Sequence, residues 1–267
     1  MNKEKIADFF DSCAPWWDED MIRNEEIIAK ILDNCDIGPG DHVLDVACGT
    51  GVLFPDYLKR QVASVTGIDI SPEMVKIASA KFPQVHVICA DVENYAFGRQ
   101  FDRIMVYNAF PHFPDPNRLV RCLAGLLPPG GRLSVAHSMS RAALLDHHAG
   151  SAASVSIDLI HESELQEIFS QWFDVDVVIS DDRMYQVCGT RTEIPVESNE
   201  TNELAEIRAM LKYMIAHNDA HNQELAELAA QMKSAGKLDT YRQIMDAVVD
   251  FDVANAKLND VLFELNR

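Results

Sequence analysis

The chain has 267 residues, 48% hydrophobic and 24% charged, a globular composition with room for one α/β domain and an additional module. A formal net charge of −19 and 23 scattered lysines and arginines speak against nucleic acid or anionic lipid as a partner. No run reaches the ~18 apolar residues of a membrane span, the polar start MNKEKIADFF has no signal-peptide core, and the six cysteines form no CxxC pair; the expected setting is therefore the cytoplasm, with the thiols reduced.

In chain order, residues 41–47 (DHVLDVA) read as a buried strand running into Cys48-Gly49-Thr50-Gly51 and a helical stretch to about Lys59. A second apolar run, 63–69, ends at Asp69. Ser71-Pro72-Glu73 then starts a helix, with a cap followed by proline at the first helical position. Residues 85–89 form a third predicted strand, 101–106 a fourth, 116–127 a helix and 132–136 a fifth strand after Pro128-Pro129-Gly130-Gly131. This alternation predicts a doubly wound, mostly parallel sheet with helices on both faces. A helix at 161–169 and strands at 175–179 and 184–189 bring the sheet to seven strands.

The expected organisation is an N-terminal helical lid (1–40), an α/β domain (41–191), a polar linker (192–202) and a helical hairpin (203–267) turning at Ser234–Lys237. In the hairpin, Leu204, Ile207, Leu211, Met214, Asn218, His221, Leu225, Leu228 and Met232 alternate in steps of three and four. This is a heptad-like seam that turns polar midway. His217 and His221 share a face there and fall opposite Asp250, Asp252 and Asn255. Two histidines and an aspartate on facing helices suit a divalent metal, and a polar layer that fixes pairing register accounts for the same residues. Such a hairpin has little core of its own, so a homodimer through these helices is expected.

Chemistry concentrates at the carboxyl ends of the predicted strands. Gly49 and Gly51 let the backbone approach a ligand and present helix-start N–H groups. Asp69 follows the glycines by about 20 positions, the spacing of a ribose-binding carboxylate, and Asp91 after the third strand can accept from an adenine amino group. Tyr107 to Phe113 and His137 to His148 follow the fourth and fifth strands. They offer His112, His137, His147 and His148 as bases and Arg141 as a clamp for an acceptor carboxylate. Structural capping accounts for the same histidines.

Val43-Leu-Asp-Val-Ala-Cys-Gly-Thr-Gly51 resembles the first motif of class I S-adenosylmethionine-dependent methyltransferases. Gly67-Ile-Asp-Ile-Ser-Pro-Glu-Met74, Ala90-Asp91-Val92, Phe101–Val106 and Leu126–Leu133 resemble the later ones, in order. Phe10-Asp11-x-x-Ala14-x-x-Trp17-Asp18 is similar to the lid of the ubiquinone/menaquinone-biosynthesis type, which usually has tyrosine at the position of Trp17. The resemblance implies S-adenosyl-L-methionine as cofactor and a small-molecule methyl acceptor. It also implies cofactor contacts at Trp17, Asp45, Ala47, Gly49, Thr50, Gly51, Asp69, Ile70, Met74, Asp91, Val92 and Asn108. Two other readings remain: a non-catalytic S-adenosylmethionine-binding sensor or interaction protein, and an NAD-dependent oxidoreductase. Against the latter stand the missing third glycine and the position of Asp91.

Overall fold

The computed structural model describes residues 3–19, 23–148, 155–193 and 202–265, and the chain divides into two compact units, Met1–Ile194 and Pro195–Arg267. The first unit holds a seven-stranded sheet of β1 (His42–Val46), β2 (Ser64–Asp69), β3 (His86–Cys89), β4 (Arg103–Tyr107), β5 (Arg132–His137), β6 (Phe173–Ser180) and β7 (Tyr185–Arg191). The order is β3-β2-β1-β4-β5-β7-β6, all parallel except β7, which pairs antiparallel with both β5 and β6. The strand order reverses between β1 and β4, which opens a crevice at their carboxyl ends where ligands of such sheets bind.

Successive residues of each strand face opposite layers. Leu44, Val46, Ile104, Val106, Leu133 and Val135 pack with α5 (Pro116–Gly125) and α7 (Glu162–Ser170) through Leu119, Leu123, Leu165 and Phe169. Val43, Val65, Met105 and Ala136 pack on the other side with α2 (Glu25–Asn34) and α3 (Phe54–Lys59), through Ile28, Ile31, Leu32, Phe54 and Tyr57. α4 (Pro72–Lys81) contributes Ala78 to that layer, and its cap is as the sequence indicates: Ser71 Oγ accepts from the Met74 N–H at 3.2 Å. α1 (Lys3–Cys13), a 3-10 turn at Ala14–Trp16 and α6 (Arg141–His148) complete the unit.

The second unit is α8 (Asn202–Ser234) and α9 (Leu238–Leu265). Its buried positions are one residue away from part of the predicted seam. Ile215, Asn222 and Ala229 are buried at seven-residue spacing, opposite Val248 and Asn255, whereas Ile207, Met214 and Leu228 are about 42–43% exposed. The reason is hydrogen bonding. Asn222 Nδ2 donates to Val248 O and to Asp252 Oδ1, Asn255 Nδ2 to Ile215 O, and Asn218 Nδ2 to Asn255 Oδ1. These bonds pull the amide rows inward. His217 and His221 lie on α8, but their side chains fall outside the described ones, and among the described residues no three potential ligands gather for a metal. Residues 194–201 of the expected linker are also outside the description. No described helix is long and apolar enough to cross a membrane.

Gly67 on β2 lies where an added Cβ would be 2.6 Å from Phe54 Cζ and 2.8 Å from Cys48 Sγ, both fixed beneath the crevice. Gly67→Ala is expected to destabilise the first unit by about 1–3 kcal/mol in chemical denaturation. An unchanged midpoint would show that this packing is looser than described.

Candidate functional site

A cavity of about 640 Å³ lies at the crevice, within the size range of small-ligand sites. Its floor comes from the strand ends: Ala47, Gly49, Asp69, Ile70, Met74, Asp91, Val92 and Asn108 all line it. Two floor residues carry backbone strain. Ala47 after β1 and Asn108 after β4 both have φ of 53°, a left-handed conformation that costs a non-glycine residue about 1–2 kcal/mol. Such strain persists only where surrounding structure imposes it, and it gathers at functional sites. Here the ladder imposes it: the Cys48 N–H donates to Ile68 O and the Asn108 N–H to Ala136 O.

Three carboxylates stand at the ends of β1, β2 and β3, each differently solvated. Asp69 accepts from the Gly49 N–H through Oδ2 and from the Ser71 N–H through Oδ1, at 2.8 and 2.9 Å, so it ties the glycine turn to the start of α4. The Ile70 N–H is a third backbone donor to this carboxylate, which leaves part of its acceptor capacity open. Burial still raises its pKa above the ordinary carboxylate range, with the backbone donors opposing. Asp45 is 2% exposed, and its Oδ2 is buried with no hydrogen-bond partner. Burial raises its pKa well above the usual range, repulsion from Asp69 adds to this, a Tyr57 side-chain hydrogen bond opposes it, and Asp45 does not itself line the cavity. Asp91 is more accessible and sits in the loop after β3, where Oδ1 accepts from the Glu93 N–H.

The other expected positions sort clearly. Thr50 is 1% exposed and donates its hydroxyl to Asp18 Oδ1, so it fastens the N-terminal segment rather than lining the cavity. Gly51 has φ of 84° and lies against Phe54; it permits a turn and a close contact, and is not among the lining residues. Asn108 lines the cavity, but its side-chain amide is committed to Ser138: Oδ1 accepts from the Ser138 N–H, and Nδ2 donates to the Ser138 hydroxyl.

Among the histidines whose side chains are described, His112 is the one that lines the cavity. Its Nδ1 lies 2.9 Å from Val155 O. A carbonyl only accepts, so Nδ1 carries the proton and Nε2 is the basic nitrogen. His137 corrects the expectation of a base after β5: it is fully buried, stacked edge-on 6.1 Å from Tyr185, and does not line the cavity. His147 and His148 lie on α6 with side chains outside the described ones. Arg141 spends its Nε–H on Leu159 O and also does not line the cavity.

The roof comes from the N-terminal segment. Phe9, Phe10, Trp16 and Trp17 line the cavity, and the Phe10 ring meets His112 at 4.8 Å and Trp17 at 5.7 Å. Asp11 accepts from the Ser71 hydroxyl and the Glu73 N–H, and Asp18 accepts from Lys81. Among the described residues, Lys3 and Arg23 are the two cationic side chains lining the cavity, and no local motif marks either. Arg23 donates to the Val52 carbonyl and to Asp56 Oδ2. Nothing in the residue pattern marks a lone arginine between a tryptophan pair and a helix as facing a cavity.

Residues 43–131 match a family described as "Methyltransferase domain", and residues 207–265 match one described as "Domain of unknown function (DUF8180)". A curated relative, a ubiquinone biosynthesis O-methyltransferase of Coxiella burnetii, is 32% identical over 143 residues, covering 50% of this chain and 61% of the relative. The chain thus spans about three fifths of the length of that relative. Two solved structures share the fold. One is a putative methyltransferase in complex with the Trm112 methyltransferase activator of Haloferax volcanii (TM-score 0.60, 21% identity, 70% of this chain and 98% of that one). The other is the N-methyltransferase NodS of Bradyrhizobium japonicum in complex with S-adenosyl-L-homocysteine (TM-score 0.56, 14% identity, 72% and 100%).

The raised pKa values of Asp45 and Asp69 fix a sign. A carboxyl whose folded-state pKa lies above the unfolded ~3.9 contributes stability that is complete below the unfolded value and fades as pH rises through the folded value. The ligand-free protein should therefore lose this contribution as pH climbs through and above the ordinary carboxylate range. Asp45→Asn, which removes the buried charge, should stabilise the ligand-free protein at neutral pH by on the order of 1–3 kcal/mol and flatten that pH dependence. Thermal unfolding across the range checks this; a destabilised variant would mean that Asp45 is paired in solution.

Proposed function

We propose, on the premise that residues 43–131 are a class I methyltransferase domain, that the chain binds S-adenosyl-L-methionine and transfers its methyl group to a hydroxyl of a small, largely apolar acceptor. The observation that carries the reading is a cavity floored by the Gly49 turn and edged by Asp69 and Asp91 at the carboxyl ends of the strands. Carboxylates at the end of β2 and after β3 suit the ribose hydroxyls and the adenine amino group of this cofactor. The O-methyl activity printed for the Coxiella relative supports oxygen as the accepting atom.

When bound, the cofactor supplies an activated methyl group. The chain's residues do the rest. Asp69 holds the ribose hydroxyls with the acceptor capacity left after the Gly49, Ile70 and Ser71 N–H groups, and Ile70 and Met74 pack against the base. Asp91, with Val92 beside it, accepts from the adenine amino group. Asp45 balances the ammonium from below, and Arg23 faces the methionine carboxylate. His112, held in one tautomer by Val155, takes the acceptor's proton on Nε2. Phe10, Trp16 and Trp17 exclude water, and Phe113, Met139 and Leu144 give the acceptor side an apolar wall. The hairpin is proposed as a homodimerisation module. The exposed row Ile207, Met214 and Leu228 beside the buried Ile215, Asn222 and Ala229 is the wider apolar face of a bundle helix with more than one neighbour.

Calorimetry with S-adenosylhomocysteine, then an acceptor screen for its release from S-adenosylmethionine, tests the reading; no binding ends it. His112→Ala should lower kcat by about 10²–10⁴ with cofactor affinity unchanged, and undiminished turnover would remove His112 from the reaction. Met214→Glu/Leu228→Glu should shift a sedimenting dimer to monomer, and a wild type that sediments as monomer overturns the pairing.

A further inference from the structure

Lys3 occupies the first turn of α1, and its ammonium lies 2.5 Å from both Asp91 Oδ2 and Glu93 Oε2. This is not an ordinary surface pair. The Glu93 side chain is 3% exposed, Asp91 19% and Lys3 30%, so part of the screening that cancels surface ion pairs is absent. Burial acts to lower the lysine's pKa, and the hydrogen bonds and charges of Asp91 and Glu93 overcome it, leaving it raised.

The Asp91 carboxylate can be accounted for lone pair by lone pair. Oδ2 accepts from Lys3 and, at 2.6 Å, from Asn94 Nδ2, which fills it. Oδ1 accepts from the Glu93 N–H at 3.1 Å and keeps one acceptor position. Lys3 thus holds the Asp91 carboxylate in one orientation, with a single vacancy that fits one N–H donor. Without Lys3, the nearly buried Glu93 would face Asp91 with Arg118 alone as counter-charge, its Nε 3.5 Å away. Like-charge repulsion would then disfavour the geometry that an amino group needs. Lys3 also belongs to the helix that carries Phe9 and Phe10 into the cavity wall.

We propose that Lys3 is a positioning residue that couples closure of α1 over the cavity to recognition of the cofactor's adenine amino group. The inference rests on the S-adenosylmethionine reading above. Linkage makes the coupling reciprocal: whatever factor the seated helix adds to adenine affinity, adenine adds to seating of the helix. Coupling of this kind spans about 5- to 150-fold.

The test is calorimetry on the full chain with S-adenosylhomocysteine and its 6-oxo (inosine) analogue, which lacks the amino donor. The wild type should prefer the adenine compound. Lys3→Met should bind it about 5- to 150-fold more weakly, with the preference over the analogue collapsing toward unity, and ligand-induced change in tryptophan fluorescence from Trp16 and Trp17 should shrink in parallel. Lys3→Arg, which keeps the charge, should restore both the preference and the fluorescence change. An unchanged preference in Lys3→Met, whatever its absolute affinity, overturns the proposal while leaving the cofactor reading intact. A wild type that binds neither compound overturns the cofactor reading itself. If Lys3→Met unfolds, Lys3→Arg decides: a folded arginine variant without the preference also overturns the proposal.

Discussion

Negative charge that water cannot reach organises the first unit. Parallel strands bring Asp45, Asp69 and Asp91 to one edge of the sheet, and the crossover between β1 and β4 opens the crevice there. Asp45 and Asp69 are packed so that their own solvation is largely gone; Asp69 raises the cost of ionising Asp45, and both raise that of the buried Cys48. Ala47 and Asn108 hold unfavourable backbone conformations at the same edge. A fold keeps such features together when a ligand's charge and shape relieve them; otherwise their removal would be pure gain in stability.

The N-terminal segment answers this charge with a ring of polar fastenings. Lys3 reaches the loop after β3, Asp11 the start of α4, Asp18 reaches Thr50 and Lys81, and Arg23 reaches Asp56. Between them the aromatic rings of Phe10 and Trp17 supply apolar cover down to His112. The fastenings reach the loop after β3, both ends of α4, the glycine turn and α3. Releasing one therefore does not free the segment, whereas the apolar rings need all of them to stay in place. The roof is held by electrostatics at its edges and by packing at its centre.

How much of this could be read in the residues follows the range of the interaction. The alternation of strands and helices, the Ser71 cap and the glycine turn are local, and their chemistry is written within a few positions. Asp69 could be placed by spacing alone, because a β-strand and its following loop have fixed length. His137 could not. Whether the last residue of β5 faces the crevice or the packed interior depends on β7 folding back antiparallel and bringing Tyr185 against it. Thr50 looked like a cradle residue by its neighbours, and its hydroxyl is taken by Asp18, 32 positions away. Lys3 and Arg23 face the cavity only because separate elements converge there.

The hairpin shows the same limit from another side. Its sequence places an apolar seam on α8 directly beside the row Ile215, Asn222 and Ala229, and periodicity cannot rank rows that all repeat every seven residues. Ranking comes from the least apolar members. A buried asparagine needs acceptors for its amide N–H groups, and Asn222 and Asn255 find them only when Val248, Asp252 and Ile215 are opposite them. Shifting either helix by one residue would bury those amides unpaired, at about 1–3 kcal/mol each. The larger Met214 and Leu228 could sit inward only by forcing that loss. The polar layer therefore selects among apolar alternatives and leaves outside the side chains that carry the most transferable apolar surface.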